Sequence, residues 1–192
     1  MPKLVLASSS PYRKNLLERL QQPFEYVSPD IDETPLPGES ATHLTERLAQ
    51  AKARALSQRF NNHLIIGSDQ VLLLDGEPVS KPLNHAAAVD QLTRSSGRTL
   101  TFSTALCLLN SASDTQQTCV EHVHVTFRHL QPEEIERYLQ LEQPYDCAGS
   151  FKSEGFGITL IARMQGDDPT SLIGLPLIRL RAMLANEGLA LP

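Results

Sequence analysis

The first twenty residues restrict the fold more than any other stretch, because a strand signal there passes directly into a helix signal. Leu-Val-Leu at 4–6 predicts a short buried strand. Ser10 is a natural N-cap, and Pro11 suits the first helical position, where its missing N–H costs nothing. Backbone N–H groups and the positive end of the helix dipole then point at whatever lies above the turn. At this point an anion pocket and an ordinary capped helix are both open.

The rest of the chain alternates between the two kinds of signal. Helices are predicted at 11–21, at 131–141, and from Thr170 or Ser171 to about Asn186. Two more are predicted to begin after the N-caps Ser40, to about 55, and Asn84. Strands are predicted at 3–7, 24–28, 63–69, 99–110, 117–130 and 156–163. Asp75 and Gly76 form a hairpin turn, and Leu44, Leu48, Ala51 and Ala55 share one face of the long helix. The pattern predicts one α/β domain over 1–192, an elongated mixed twisted sheet flanked by helices, in two lobes around an active-site cleft.

Charge and composition argue against several classes of protein. The net charge of −5 argues against binding to nucleic acid or to an anionic membrane surface, both of which need a cationic footprint. No apolar run approaches the length of a membrane span, and we expect no signal peptide. Three widely spaced cysteines fit neither a zinc pattern nor a disulfide framework, so the expected location is the reducing cytoplasm.

Charged residues follow several of the predicted elements. Glu33 lies in an acidic, proline-rich loop, Lys52 is near the apolar face of the long helix, and Asp69 closes a predicted strand. Lys81 follows the hairpin, and Arg13 follows the serines. A triphosphate with a divalent ion needs this mixture, because cations hold phosphate oxygens while carboxylates hold the metal and activate water. Taken singly, each of these residues could instead have no functional role and be a turn residue or a solvated side chain.

Other chemistry has weaker support. His122 and His124 would share one strand face and could bind a metal, but no third ligand is in view. The chain contains no G-x-x-x-x-G-K-[ST] and no G-x-G-x-x-G, so neither a P-loop nor a Rossmann site is predicted.

Several stretches together resemble the Maf-like nucleotide pyrophosphatases. They follow the family order along nearly the whole chain: LASSSPYRKNLL, DIDET, RLAQAKA, IIGSDQ, SKPL, CAGSFKSEGFG and DPTSLIGLP. The resemblance implies hydrolysis of a nucleoside triphosphate to the monophosphate and pyrophosphate, with a divalent metal cation (Mg, Mn or Co). It also implies a two-lobed α/β fold with the site in the cleft and, commonly, a homodimer.

The same resemblance carries roles over to single residues. Asp69 becomes the proton acceptor, and Glu33 becomes a further metal ligand beside it. The phosphates are then held by Ser8, Arg13, Lys52 and Lys81.

Three positions depart from the commoner family pattern. Tyr12 replaces an arginine, Gln70 replaces a threonine, and Glu154 replaces a glutamine. They resemble the YceF-type subgroup, which acts on 7-methyl-GTP, and an aromatic ring suits a cationic base. Two alternatives stay open, namely a pyrophosphatase for another nucleotide such as dTTP or UTP, and a non-catalytic nucleotide-binding regulator of cell division.

Overall fold

A computed structural model describes residues 3–192 of the chain. Its five α-helices are α1 (Pro11–Glu18), α2 (Ala41–Ala55), α3 (His85–Ser95), α4 (Pro132–Glu142) and α5 (Leu177–Asn186). Its seven strands are β1 (Lys3–Ala7), β2 (Phe24–Val27), β3 (His63–Leu74), β4 (Glu77–Val79), β5 (Thr99–Asn110), β6 (Thr115–Phe127) and β7 (Ile161–Gln165). The strands form one mixed sheet in the order β2-β1-β3-β5-β6-β7, with β4 paired to β3. The mixed α/β prediction is confirmed.

The chain divides into two compact units. The first comprises residues 1–70, 104–121 and 168–192, of which 1 and 2 lie outside the described part, and the second comprises 71–103 and 122–167. Strands β3, β5 and β6 contribute residues to both.

In the first unit, β1 runs parallel to both β2 and β3. Its side chains alternate between two apolar clusters, as the two-residue period of a strand requires. Leu4 and Leu6 pack with α1 and α5, whereas Val5 and Ala7 pack with α2. The sheet of this unit is therefore covered by helices on both faces.

The buried face of α2 is not quite the predicted one. Leu44 and Leu48 are buried as expected, but Ala51 is only partly buried and Ala55 is exposed. Ala49 and Ala53 are the alanines that pack against the sheet. The helix is rotated because its backbone lies against β3 at these two positions, and the same rotation brings Lys52 into the buried face.

The second unit contains the β3–β4 hairpin, α3, α4 and the antiparallel β6–β7 pair. Asp75 and Gly76 both have positive φ, 56° and 85°, which confirms the predicted tight turn. The buried residues of this unit include Leu72, Phe127 and Tyr138.

Three predicted boundaries are wrong. Strand β3 does not end at Asp69 but continues to Leu74, where it pairs with β4. The stretch 156–163 begins as a 3₁₀ helix (Phe156–Leu160), and β7 starts only at Ile161. The last helix starts at Leu177, because Gly174 turns the chain with a φ of 112° after a separate 3₁₀ helix at 169–173. Within 3–192, no helix is both long and apolar enough to cross a membrane.

Candidate active site

The turn between β1 and α1 is built by its serines. Ser10 has extended backbone angles and its Oγ accepts from Arg13 N at 3.4 Å, so the predicted N-cap is confirmed. Ser10 N in turn donates to the Oγ of Ser8 at 3.1 Å, and Ser8 is buried. Because Ala7 of β1 pairs with Gly67 of β3, Ser8 follows β1 at the level where Ser68 and Asp69 continue β3.

An ammonium and two carboxylates meet beside this turn. Lys52 Nζ lies 2.7 Å from Asp69 Oδ1 and 3.0 Å from Glu33 Oε1. Lys52 and Asp69 are 5% and 7% exposed, whereas the Glu33 side chain is 56% exposed. The structure thus brings together three of the predicted residues in one ion-pair cluster with one open side.

The electrostatics of the cluster follow from burial and charge. Burial raises the pKa of Asp69, and the positive charges of Lys52 and Arg13 partly offset that rise. Burial also lowers the pKa of Arg13, while the negative charges of Asp69 and Glu33 oppose this. A guanidinium stays protonated in proteins even after such a shift. The site therefore holds a carboxylate made more basic than usual, next to two fixed cations.

Close packing of β3 on α2 positions the pair. A Cβ at Gly67 would lie 2.1 Å from Ala49 O and 2.9 Å from Ala53 N, both of them backbone atoms. The missing side chain lets the strand approach the helix so closely that Lys52, one residue before Ala53, reaches Asp69.

Gly67→Ala is expected to lower the free energy of unfolding by about 1–3 kcal/mol or more, because the added methyl meets backbone that cannot swing aside. Urea denaturation measures the change. Ala55→Ser, on the exposed side of α2, is the control and should stay within about 0.5 kcal/mol of the parent protein. An unchanged unfolding midpoint for Gly67→Ala would contradict the close approach of helix and strand.

The segment 168–174 contacts two residues next to the ion-pair cluster, Arg13 and Ser68. Arg13 Nε donates to Gly174 O at 2.8 Å, and Ser68 Oγ lies 2.9 Å from the same carbonyl oxygen. Gly174 has a φ of 112°, and any Cβ there would come within 3.3 Å of Arg13 Nε. The positive φ favours glycine at this position, and a side chain there would crowd the Arg13 guanidinium.

Gln70 binds the same segment. Its Nε2 lies 2.8 Å from Thr104 Oγ1, 2.9 Å from Ser171 O and 3.1 Å from Leu172 O. The amide nitrogen is thus used inside the first unit, where it fixes the 3₁₀ helix against the end of β3.

Asp168 is a structural residue that the sequence analysis did not single out, although it lies in the DPTSLIGLP motif. It is 2% exposed. Its Oδ1 accepts from Thr170 N at 2.8 Å and Thr170 Oγ1 at 2.6 Å, and its Oδ2 accepts from Ile178 N at 2.7 Å. One carboxylate therefore caps both the 3₁₀ helix and α5. An Asp followed by Pro and Thr at the start of a helix is typical of an N-cap, so this role could have been predicted from the sequence.

Three predicted residues remain to be described. Lys81 and Glu154 are exposed and belong to the second unit. The Lys81 loop is fixed by Gln91 Nε2, which donates to Ser80 O at 2.9 Å. Tyr12 is half-buried in the first turn of α1.

The described residues, 3–192, contain no group of three or more His, Cys, Asp or Glu side chains placed to hold a metal ion. His122 and His124 each bond a hydroxyl through Nδ1, Ser103 Oγ at 2.9 Å and Thr101 Oγ1 at 3.0 Å. Glu33 and Asp69 are the carboxylates that share one cation. Two carboxylates completed by substrate phosphate oxygens and water are a usual Mg²⁺ environment, so these residues fit a divalent ion.

Comparisons with known proteins found a matching family model and similar proteins. The family model described as Maf-like protein matches residues 3–187. A protein of Methylobacillus flagellatus named 7-methyl-GTP pyrophosphatase is 58% identical over 188 residues, 98% of each chain. A protein of Pseudomonas aeruginosa with the same name is 54% identical over 192 residues, all of each chain. The solved structure of the Staphylococcus aureus Ham1 protein is similar in fold, with a TM-score of 0.55 and 16% identity over 96% of this chain and 99% of that one.

Proposed function

Because the chain belongs to the Maf-like protein family, we propose that it is a nucleoside triphosphate pyrophosphatase that converts 7-methyl-GTP into 7-methyl-GMP and pyrophosphate. The observation that carries the proposal is the buried Lys52–Asp69 pair with Glu33 at its open side. Two full-length relatives named for this reaction support the choice of substrate. The biological role would be removal of a modified nucleotide before a polymerase can use it.

In the proposed reaction, water attacks the α-phosphorus. A new P–O bond forms to the water oxygen, and the bond from the α-phosphorus to the bridging oxygen breaks, so that pyrophosphate leaves. Asp69 orients the water and accepts its proton. Its burial favours this role, because a pKa raised above the ordinary carboxyl value makes a stronger base at neutral pH.

Cations of the site offset charge on the phosphates and on the leaving group. Lys52 and Arg13 do so from the first unit, where Gly174 O fixes the direction of the guanidinium. Ser8 offers a buried hydroxyl at the β1–α1 turn. Lys81 is the further phosphate ligand that the family resemblance assigns, on a loop of the second unit.

The charge balance of four clustered groups supports a divalent cation, Mg, Mn or Co. Lys52 and Arg13 carry two positive charges, and Asp69 and Glu33 carry two negative ones, so the four groups have no net charge and the negative charge of a bound triphosphate calls for a further cation. Glu33 and Asp69 would hold the ion. When bound, it supplies charge neutralisation at the phosphates and a lower pKa for bound water.

Recognition of the base is assigned to Tyr12, Glu154 and Gln70. The 7-methylguanine ring is cationic, and an aromatic face attracts a cation by about 0.5–2 kcal/mol. A carboxylate such as Glu154 accepts from the N1 and N2 edge of guanine, with charge-assisted bonds of about 1.5–3 kcal/mol. The contacts of Gln70 with the 3₁₀ helix suit a residue that shapes the pocket rather than one that reads the base.

The triple change Tyr12→Arg, Gln70→Thr, Glu154→Gln is expected to lower kcat/KM for 7-methyl-GTP by at least about tenfold, while activity on dTTP or UTP is retained or appears. The positive charge introduced by Tyr12→Arg would repel the cationic base. Glu154→Gln would replace a charge-assisted hydrogen bond to the base with a neutral one. Steady-state kinetics on 7-methyl-GTP, GTP, UTP and dTTP measure the ranking. Gln70→Thr alone is the control, because it measures the effect of losing the bonds to the 3₁₀ helix separately from the changes at Tyr12 and Glu154. An unchanged ranking in the triple variant would remove these residues from base recognition.

The function itself is tested by pyrophosphate release across canonical and methylated nucleotides with Mg²⁺, Mn²⁺ or Co²⁺. We expect 7-methyl-GTP to give the highest kcat/KM. A preference for a pyrimidine triphosphate would move the proposal to the other substrate class. Nucleotide binding without any pyrophosphate release would favour the non-catalytic regulator.

Three further properties belong to the proposal. The substrate is a free nucleotide and not nucleic acid, which the net charge of −5 supports. The reaction takes place in the cytoplasm, whose reducing conditions suit a chain with three widely spaced cysteines. The active form is a homodimer, as the family resemblance implies, and light scattering in solution tests this.

A further inference from the structure

Glu33 lies on a long stretch without helix or strand, between the end of β2 at Val27 and the start of α2 at Ala41. Its side chain is 56% exposed, yet its Oε1 lies 3.0 Å from Lys52 Nζ. An exposed carboxylate on an irregular loop loses conformational entropy when it is held in one place, so other contacts must restrict this loop.

Arg47, on α2, makes those contacts. Its Nε donates to Glu39 Oε1 at 2.7 Å and its Nη2 to Glu39 Oε2 at 2.8 Å, which is a two-pronged pairing. Nη2 also donates to Thr34 O at 3.1 Å, and Thr34 directly follows Glu33. One guanidinium therefore joins the helix to both ends of the loop 33–39.

The loop adds bonds of its own to this pairing. Leu36 N donates to Glu39 Oε2 at 3.0 Å, and Thr34 N donates to Asp32 Oδ1 at 2.9 Å. Hydrogen bonds from Arg47 and from Leu36 N lower the pKa of Glu39 to about 2. Because a group with a lowered pKa keeps its charge until the pH falls through that value, the pairing is intact throughout the range in which enzymes are assayed.

A second arginine of α2 shows what an ordinary surface pair looks like. Arg54 Nη1 lies 2.9 Å from Asp114 Oδ1, with side chains 47% and 78% exposed. The Arg47 and Glu39 side chains are 33% and 8% exposed. Single exposed pairs contribute little to stability, whereas a two-pronged, covered pair fixes geometry.

We propose that Arg47 is a positioning residue, which holds Glu33 against Lys52 through Glu39 and the Thr34 carbonyl without touching the substrate. The proposal rests on the proposed function for its kinetic consequence, since Glu33 is there a ligand of the phosphate and metal site. Its structural part, the restriction of the loop, stands without that function.

The first test measures amide hydrogen exchange in the protein alone, without nucleotide or metal. Arg47→Met should speed exchange across 32–39 by at least about tenfold, while β1 and α5 stay as in the parent protein. Arg47→Lys keeps the charge but loses the fork, so it should give a smaller acceleration. Arg54→Met is the matched control and should leave 32–39 unchanged. Parent-like exchange in Arg47→Met overturns the proposal.

The second test is a double-mutant cycle in pyrophosphate release. Arg47→Met should lower kcat/KM by about tenfold in the parent protein, and by less than about threefold when Glu33 is already Gln, because the two residues act as one unit. Equal losses in both backgrounds would mean that Arg47 acts independently of Glu33, which overturns the proposal. Where the parent protein releases no pyrophosphate, the proposed function fails and the exchange experiment alone decides. If Arg47→Met does not fold, both tests run on Arg47→Lys and Glu39→Gln.

Discussion

Asp69→Asn is expected to reduce pyrophosphate release by a factor of about 10²–10⁴ while the fold and nucleotide binding are retained. The amide is nearly the size of the carboxyl group, and its oxygen can still face Lys52, which lies 2.7 Å from Asp69 Oδ1. However, an amide accepts no proton and is a poor ligand for a divalent ion. Single-turnover kinetics with 7-methyl-GTP separate the chemical step from binding, and we expect the loss in the former.

Asp32→Asn is the control for this substitution. It makes the same chemical change on the acidic loop, where Asp32 caps Thr34 N and is exposed. It should keep turnover within about threefold of the parent protein, because the amide oxygen can still accept from Thr34 N and so keeps the loop bond. Near-normal turnover by Asp69→Asn would disprove its assignment as the base.

Lys52→Ala is expected to lower the free energy of unfolding by about 3–5 kcal/mol near neutral pH, because it leaves the buried Asp69 carboxylate without its cation. The same change should lower kcat/KM for every nucleotide without altering their order, as a lysine that binds phosphate does not contact the base. Lys81→Ala should show the same uniform loss of activity, but little loss of stability, since Lys81 is exposed. A changed substrate order in either variant would mean that its lysine is misplaced.

The stability loss of Lys52→Ala should depend on pH. Without Lys52, burial and the negative charge of Glu33 still raise the pKa of Asp69, and Arg13 opposes them. Between the two pKa values the folded protein then binds more protons than the unfolded one, so stability falls as the pH rises through that range. Urea denaturation should therefore show a larger deficit at pH 8 than at about pH 4. Adding Asp69→Asn to Lys52→Ala should recover part of the loss, and Arg54→Ala should cost no more than about 1 kcal/mol.

Much of the local structure could be predicted from short-range signals. The N-caps Ser10, Ser40 and Asn84 lie where their sequence context predicts, and the Asp75–Gly76 turn is present. These features depend on the backbone preferences of a few neighbouring residues, so they can be read without knowing the rest of the fold.

The errors occur where a distant part of the chain decides. Strand β3 continues past Asp69 because Leu72 pairs with Val79 of β4. The hydrogen bonds between the two strands outweigh the low strand preference of the polar residues Ser-Asp-Gln. The α2 face is rotated toward Ala49 and Ala53 because Gly67 permits close approach at that point. Neither the pairing of β3 with β4 nor the packing of α2 on Gly67 can be predicted from a few neighbouring residues.

The sequence by itself determined the α/β class, the capped β1–α1 turn and the set of charged residues from which a site could be made. Only the tertiary structure decided which of them meet. Lys52 and Asp69 are 17 residues apart, and Arg13 bonds a carbonyl 161 residues away. It also decided that Arg47 pairs with Glu39, and that Gln70 bonds the 3₁₀ helix at 169–173. The physical reason is that propensity and periodicity act over a few residues, whereas contacts between side chains depend on how whole elements pack.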